Sequence, residues 1–315
     1  MKRKEVILGW MALGISTLIA ALWAYWGIGE SFHEGWWAPT LAGRLLQTLG
    51  YMVPMLICLS VGALALRWPI IGGTVYFLFG TIFSALVFNE LAPDFRLQAV
   101  LSWLPVTLLV IGVGVLWWFG KPRPKRLASY IFFGVPLLTV LVFGAYPAYK
   151  VGTRNTDVSL EEQHVKGNGV TLVWAPAGPG WVRGAKDCAN WHEATEICSR
   201  LSEDGRMLLE KPQNIWRLPT VDEAVRSMAR HGVNSGGVWE ADLKKAKYLV
   251  EPDKEPPLWD PFTETIYWWT STENGEDEAF TIVYNGGVWS RRKSLGMGSQ
   301  GFRAVKDVPA AKPAG

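Results

Sequence analysis

The first 149 residues are a succession of five apolar runs, at about 6–28, 45–66, 69–88, 99–119 and 127–149. Each is close to the roughly 20 apolar residues that a helix needs to cross a hydrocarbon core. In lipid a helix satisfies every backbone polar group within one segment, so such runs are expected as membrane spans. Charge follows the same division. Residues 1–149 carry 10 basic and 5 acidic side chains, and the remaining 166 residues carry 21 basic and 23 acidic. The net charge of +3 therefore originates in the apolar half. It does not mark a basic nucleic-acid-binding surface, and nucleic acid is not expected as a partner.

Lys2-Arg3-Lys4 gives the first run the basic start of a secretory signal. The run is too long for one, and no small-x-small cleavage site follows it, so an uncleaved signal anchor is expected. Basic residues in short loops set the orientation. They lie at the N-terminus, at Arg67, and four times in 121–126, whereas the alternate connections hold Glu30, His33, Glu34 and Arg44, then Glu90, Asp94 and Arg96. Five spans with a cytoplasmic N-terminus place residue 150 onward outside, as expected of a multi-pass protein of the plasma (inner) membrane with a periplasmic or extracellular C-terminal domain. No Asp, Glu, Lys or Arg sits well inside a run, although such residues usually mark ion and proton pathways. Pro54, Pro105 and Pro136 fall within runs and are expected to kink them. Gly72-Gly73, Gly80 and Gly112-x-Gly114 suit close helix contacts. Trp36-Trp37, Trp68 and Trp117-Trp118 are expected at the membrane–water interface. This half reads as an anchor or packing platform, with the lipid bilayer as its partner.

The polar half is organised around Trp216-Arg217-Leu218-Pro219-Thr220. Trp216 and Leu218 alternate with Arg217 as in a strand with one apolar face. Pro219 biases Leu218 away from the helical region. Thr220 and Glu223 then form a capping box, which opens a helix expected to run through Val225, Met228 and Ala229 and to end at Arg230-His231-Gly232. Arg217 is expected to pair with Glu223. Asn190 with Glu193 is a second capping box, opening a helix whose apolar face is Trp191, Ala194, Cys198 and Leu201. Residues 150–168 read as a linker and 231–266 as a long irregular stretch, with a short helix weighed over 242–249. Strands are expected at 169–174, 267–272, 279–284, 288–293 and 301–306, with Asn285-Gly286 as a hairpin turn. The tail, 308–315, is expected to be disordered.

Taken in order, these segments carry a resemblance. Trp-Arg-Leu-Pro-Thr-x-x-Glu at 216–223 resembles the central motif of the formylglycine-generating (sulfatase-modifying factor) family and of the C-terminal domain of collagen-like bacterial adhesins. The segments Thr171-Leu-Val-Trp174, Trp191-His-Glu-Ala194 and Tyr267-Trp-Trp-Thr-Ser-Thr272 are similar to the second family, and Gly301-Phe-Arg-Ala-Val-Lys306 to the last strand of both. The resemblance covers about residues 168–307 and implies a C-type-lectin-like α+β fold over 169–307. The expected architecture is thus a five-helix membrane domain, a linker, and an extracytoplasmic lectin-like domain. Formylglycine-generating enzymes use a late cysteine pair. Here no cysteine follows Cys198, so that activity is disfavoured and no catalytic residue is assigned.

Other chemistry is sparse. His33, His164, His192 and His231 lack ligand spacing, and no zinc motif occurs, so neither metal nor cofactor is expected. The acidic stretch 273–278 reads as an exposed turn in preference to a calcium site. A disulfide between Cys188 and Cys198 is disfavoured, because ten residues along one helix separate them by about 15 Å against a limit of about 7 Å.

Surface recognition remains. Trp289, Arg291, Arg292 and Lys293 set an indole beside three cations on one hairpin strand, and Trp239 and Trp259 lie in aperiodic stretches that do not demand burial. Guanidinium forks suit sulfate and carboxylate, and tryptophan with arginine is enriched at binding hot spots. The adhesin-domain resemblance implies sulfated polysaccharide. These six residues are the candidate contacts for an anionic glycan or envelope protein, weighed against a charged edge strand that merely resists aggregation. The leading function is a membrane-tethered binding module. The alternatives are a structural subunit docking a partner within the membrane and the disfavoured enzyme.

Overall fold

The computed structural model describes residues 3–33, 36–90, 96–296 and 300–308. It divides into two compact units, Met1–Gly35 with Thr40–Ala148, and Trp36–Pro39 with Tyr149–Gly315. The expected loop charges at Lys2, Glu34 and Asp94, the loop residues 297–299 and the tail from 309 lie outside the described residues.

The first unit is helical: α1 Arg3–His33, α2 Leu41–Arg67, α3 Pro69–Glu90, α4 Arg96–Phe119, and α5 Lys125–Thr153, whose last turn passes into the second unit. Four helices, α1, α2, α3 and α5, are long and apolar enough to cross a membrane. Within α4, Leu104–Phe119 is apolar and shorter than these four. Thr40 caps α2 by accepting from the Gly43 N–H at 3.1 Å. Pro69 opens α3 one residue after α2 ends, at the helix position where a missing N–H costs nothing.

Glycine sets the α3–α4 contact. A Cβ on Gly73 would stand 2.6 Å from the Gly114 carbonyl oxygen, and one on Gly114 would stand 2.6 Å from that of Gly73. Such backbone contact lets helices pack where no hydrophobic effect drives them together. Gly112 has nothing within 4 Å of its would-be Cβ and takes no part. Two of the tryptophans expected at the membrane–water interface also hold helices together. Trp117 is completely buried among Leu13, Ala65, Val113 and Phe132, and its indole donates to Ser16 Oγ at 3.1 Å. Trp118 likewise donates to Thr74 Oγ1 at 3.1 Å. Both pin helix to helix, because an indole N–H within apolar surroundings needs an acceptor.

The second unit is β-rich. Strands β1 (Gln163–Gly167), β2 (Val170–Trp174) and β11 (Val305–Asp307) form an antiparallel sheet in the order β1-β2-β11. A second sheet has the order β10-β7-β8-β9, from Gln300–Gly301, Tyr267–Glu273, Glu278–Val283 and Val288–Arg292. Trp268 and Trp269 are adjacent on β7, so the pleat sends them to opposite faces. Trp268 joins Phe280, Ile282 and the apolar side of α7 (Val221–Ser227). Trp269 joins Ala279 and the apolar side of α6 (Trp191–Ser199). Both faces of this sheet are therefore covered. Both capping boxes are present, Asn190 with Glu193 and Thr220 with Glu223.

Several sequence expectations are corrected. Helix α7 stops at Ser227 because β3 (Ala229–Arg230) turns through His231 and Gly232, with φ of 53° and 72°, into β4 (Val233–Asn234). Two successive left-handed residues make the tight turn that matches strand twist. Residues 242–249 are not helical: β5 (Val238–Glu240) and β6 (Lys245–Lys247) pair as a hairpin. The linker is shorter than 150–168, since α5 runs to Thr153 and β1 begins at Gln163. The closing strand is two short ones, β10 and β11, which serve different sheets.

A candidate recognition edge on the second sheet

β9 is the outer strand of its sheet, and its position follows from the turn before it. Gly286 has φ +84°, and a Cβ there would meet the Tyr248 ring at 2.4 Å, so glycine is required. The Tyr248 hydroxyl donates to the Gly286 carbonyl at 3.1 Å, and the Gly287 N–H donates to Asn285 Oδ1 at 3.1 Å. Register sets Trp289 opposite Thr281 and Arg291 opposite Ala279, which puts the two side chains on one face. Trp289 is 58% exposed, the only tryptophan of the second unit with such exposure among the described residues. Its indole nitrogen lies 3.2 Å from the Cβ position that Gly287 leaves empty. The Arg291 guanidinium stands 4.6 Å over the Tyr267 ring, which belongs to the same face by register.

Arg292 faces the other way. It is exposed and opposes Glu278, and it lines an open cleft of about 590 Å³ with His192, Glu276, Asp277, Glu278, Ser294 and the neighbouring Lys293. The cleft is thus of mixed charge. Lys293 is withdrawn from solvent at 6% exposure. Its ammonium bonds the Glu273 carboxylate and the carbonyls of Glu276 at 2.6 Å and Gly275 at 3.3 Å. It also lies 5.0 Å over the Trp191 ring. The oxygens of the acidic turn 273–278, weighed above for calcium, are in part occupied by this lysine.

The remaining two candidates lie elsewhere. Trp239 meets the Phe280 ring edge-on at 5.4 Å, on the sheet face opposite Trp289. Trp259 is 0% exposed, 5.0 Å from the Trp268 ring, with its indole donating to the Thr265 carbonyl at 3.3 Å. The six residues therefore do not form one surface. Trp289 and Arg291 come together, Arg292 and the largely withdrawn Lys293 line a separate cleft, Trp239 packs on the opposite sheet face, and Trp259 is interior. Tyr267 and His192 join these surfaces without any signal in the spacing of the sequence.

The loop that holds Trp259 is also interior, and charged groups fix it there. Asp253, Lys254, Glu255 and Asp260 are each at most 3% exposed. Arg303 is fully buried, 3.6 Å from the Trp181 ring, and donates to the carbonyls of Ala175 at 2.8 Å and of Pro257. Burial, together with the nearby Arg183 charge, pushes the Arg303 guanidinium well below its ordinary pKa. Arg183 pairs with Asp260, and Arg230 with Asp253. Lys254 donates to the Thr263 carbonyl, and burial first, then the Arg154 charge, lowers it to about 7.

The cysteines are all free. Burial raises the thiol pKa of both Cys188 and Cys198, opposite to the depression that marks a reactive thiolate. Among the described residues, no three His, Cys, Asp or Glu side chains come together as a metal site. No known family model, curated protein or solved structure matches this chain.

Proposed function

We propose that this protein is a membrane-tethered recognition module of the cell envelope, anchored by five spans and exposing its second unit outside the cytoplasm. The contact surface is the edge face of Trp289, Arg291 and Tyr267, and the ligand is an anionic glycan or an anionic envelope protein. The observation that carries this reading is the 58% exposed indole of Trp289 on the same face as the Arg291 guanidinium. An aromatic ring left in water on an edge strand buries little, whereas indole and guanidinium together offer a stacking plate and a forked donor to sulfate or carboxylate. The C-type-lectin-like reading of the fold agrees with two capped helices placed on opposite faces of one sheet.

The test compares parent, Trp289→Ala and Arg291→Ser, each as the whole chain, against a panel of sulfated and carboxylated glycans. Either substitution is expected to weaken the strongest interaction by about 1–2 kcal/mol, or roughly 5–30-fold. Raising salt is expected to weaken the parent further. Both variants binding as tightly as the parent would show that the contact surface lies elsewhere.

A further inference from the structure

Three strongly exposed apolar side chains of the second unit stand close to the end of α5. Leu249 is 88% exposed, Val233 68% and Val250 55%. The N–H groups of Leu249 and Val250 both donate to the Ser235 carbonyl, at 3.0 and 3.2 Å, and Val233 is two residues before Ser235. Leu249 lies across Gly236, where a Cβ would come within 2.6 Å of its Cδ1. Two tethers tie this patch to the end of α5. The Glu251 carboxylate, next to Val250, pairs at 3.2 Å with Lys150 in the last turn of the helix. The Glu255 carboxylate accepts from the N–H of Asn155 at 2.9 Å and from that of Gly232 at 3.0 Å, which ties the turn before Val233 to the chain just after Thr153. All of these groups belong to the second unit.

α5 is one of the four helices long and apolar enough to cross a membrane. Groups fastened to its last turn are then held near the lipid boundary. Soluble surfaces usually scatter exposed apolar side chains singly, and clustered ones mark a contact. Lys150 pairs with Glu251, and Lys247 with Glu240 at 2.5 Å, so these two cations beside the patch are each matched by a carboxylate. We propose that Val233, Leu249 and Val250 form a foot that enters the headgroup–acyl boundary of the bilayer. Interfacial binding of this kind scales with buried apolar area. The foot depends on α5 lying in a membrane and not on the identity of any ligand.

The test uses the whole chain in nanodiscs of zwitterionic phosphatidylcholine, with and without brominated acyl chains. Leu249→Cys is labelled with an environment-sensitive dye after Cys58→Ser and Cys188→Ser, while Cys198, 1% exposed, stays unlabelled. Brominated chains are expected to quench the dye strongly, as at an interfacial depth of about 5–10 Å. The quenching is expected to persist from about 0.1 to about 1 M salt, over which the Debye length falls from about 10 to about 3 Å. Adding Val233→Asp and Val250→Asp is expected to abolish it, which controls for insertion driven by the dye alone. Absence of quenching, its loss at high salt, or its persistence in the double-aspartate variant would each overturn the proposal.

Discussion

Single residues show how closely burial follows the surrounding chain. Arg217 makes the fork that its place before a capped helix suggests, with both guanidinium nitrogens 2.7 Å from the Glu223 carboxylate. Hydrogen bonding to Glu223 raises its pKa. Burial works to raise the Glu223 carboxyl, but bonds from Arg217 and the Thr220 N–H outweigh it and the net shift is downward. That pair was legible because both partners belong to one short motif. Lys293 and Lys254 were not, because their partners lie 17–20 and 9 residues away, on turns whose geometry only the fold defines. Lys254 carries a pH prediction. Its folded pKa of about 7 lies below the unfolded value of about 10.4. Between those values the unfolded chain binds more protons, so this group makes stability rise with pH. Below about 7 the full cost of a buried ammonium is present. Lys254→Met is expected to stabilise the second unit by about 1–3 kcal/mol at pH 6, with the advantage shrinking toward pH 10. Near-UV dichroism melts across that range check it, and a parent–variant difference independent of pH would contradict it.

Elements were legible in proportion to how locally they are determined. The five apolar helices, both capping boxes and strands β7, β8 and β9 of the second sheet follow from periodicity and caps, which are properties of neighbouring residues. The hairpins at 229–234 and 238–247 were missed, because His231-Gly232 also reads as a helix end and the Lys-rich 242–249 stretch also reads as a turn of helix. The loop 251–266 looked open because it has no period, yet ion pairs and Arg303 draw it inside. Periodicity reports regular elements only. This is also why the sequence leaves Trp259 free of any demand for burial although the fold buries it completely. In the helical unit, glycine contacts predict a difference between two positions of the same helix. Gly114→Leu would drive a Cβ to within 2.6–2.8 Å of backbone atoms of α3, whereas a Cβ at Gly112 meets nothing within 4 Å. The first is expected to lose about 1–3 kcal/mol, the usual cost of overpacking, and the second well under 1. Unfolding midpoints of the two solubilised variants decide this, and equal midpoints would remove the glycine argument.

At the scale of the whole molecule, the proposed recognition role requires the second unit to lie outside the cytoplasm, and α4 decides that. Helices α1, α2, α3 and α5 are long and apolar enough to cross. Four crossings would return the second unit to the side of the N-terminus, and five place it opposite. α4 has 24 residues, about 36 Å of helix at about 1.5 Å per residue, which exceeds a hydrocarbon core of about 30 Å. The basic residues agree with a fifth crossing. Lys121, Arg123, Lys125 and Arg126 follow α4 directly and match the basic N-terminus, as cytoplasmic loops do. A reporter active only outside the cytoplasm is therefore expected to be silent when fused at Lys121 and active when fused after Asp307. If α4 does not cross, both results reverse: the Lys121 fusion becomes active and the Asp307 fusion silent. That reversal would leave an anionic envelope glycan on the wrong side of the bilayer from Trp289 and Arg291, and the recognition reading would fall with the topology.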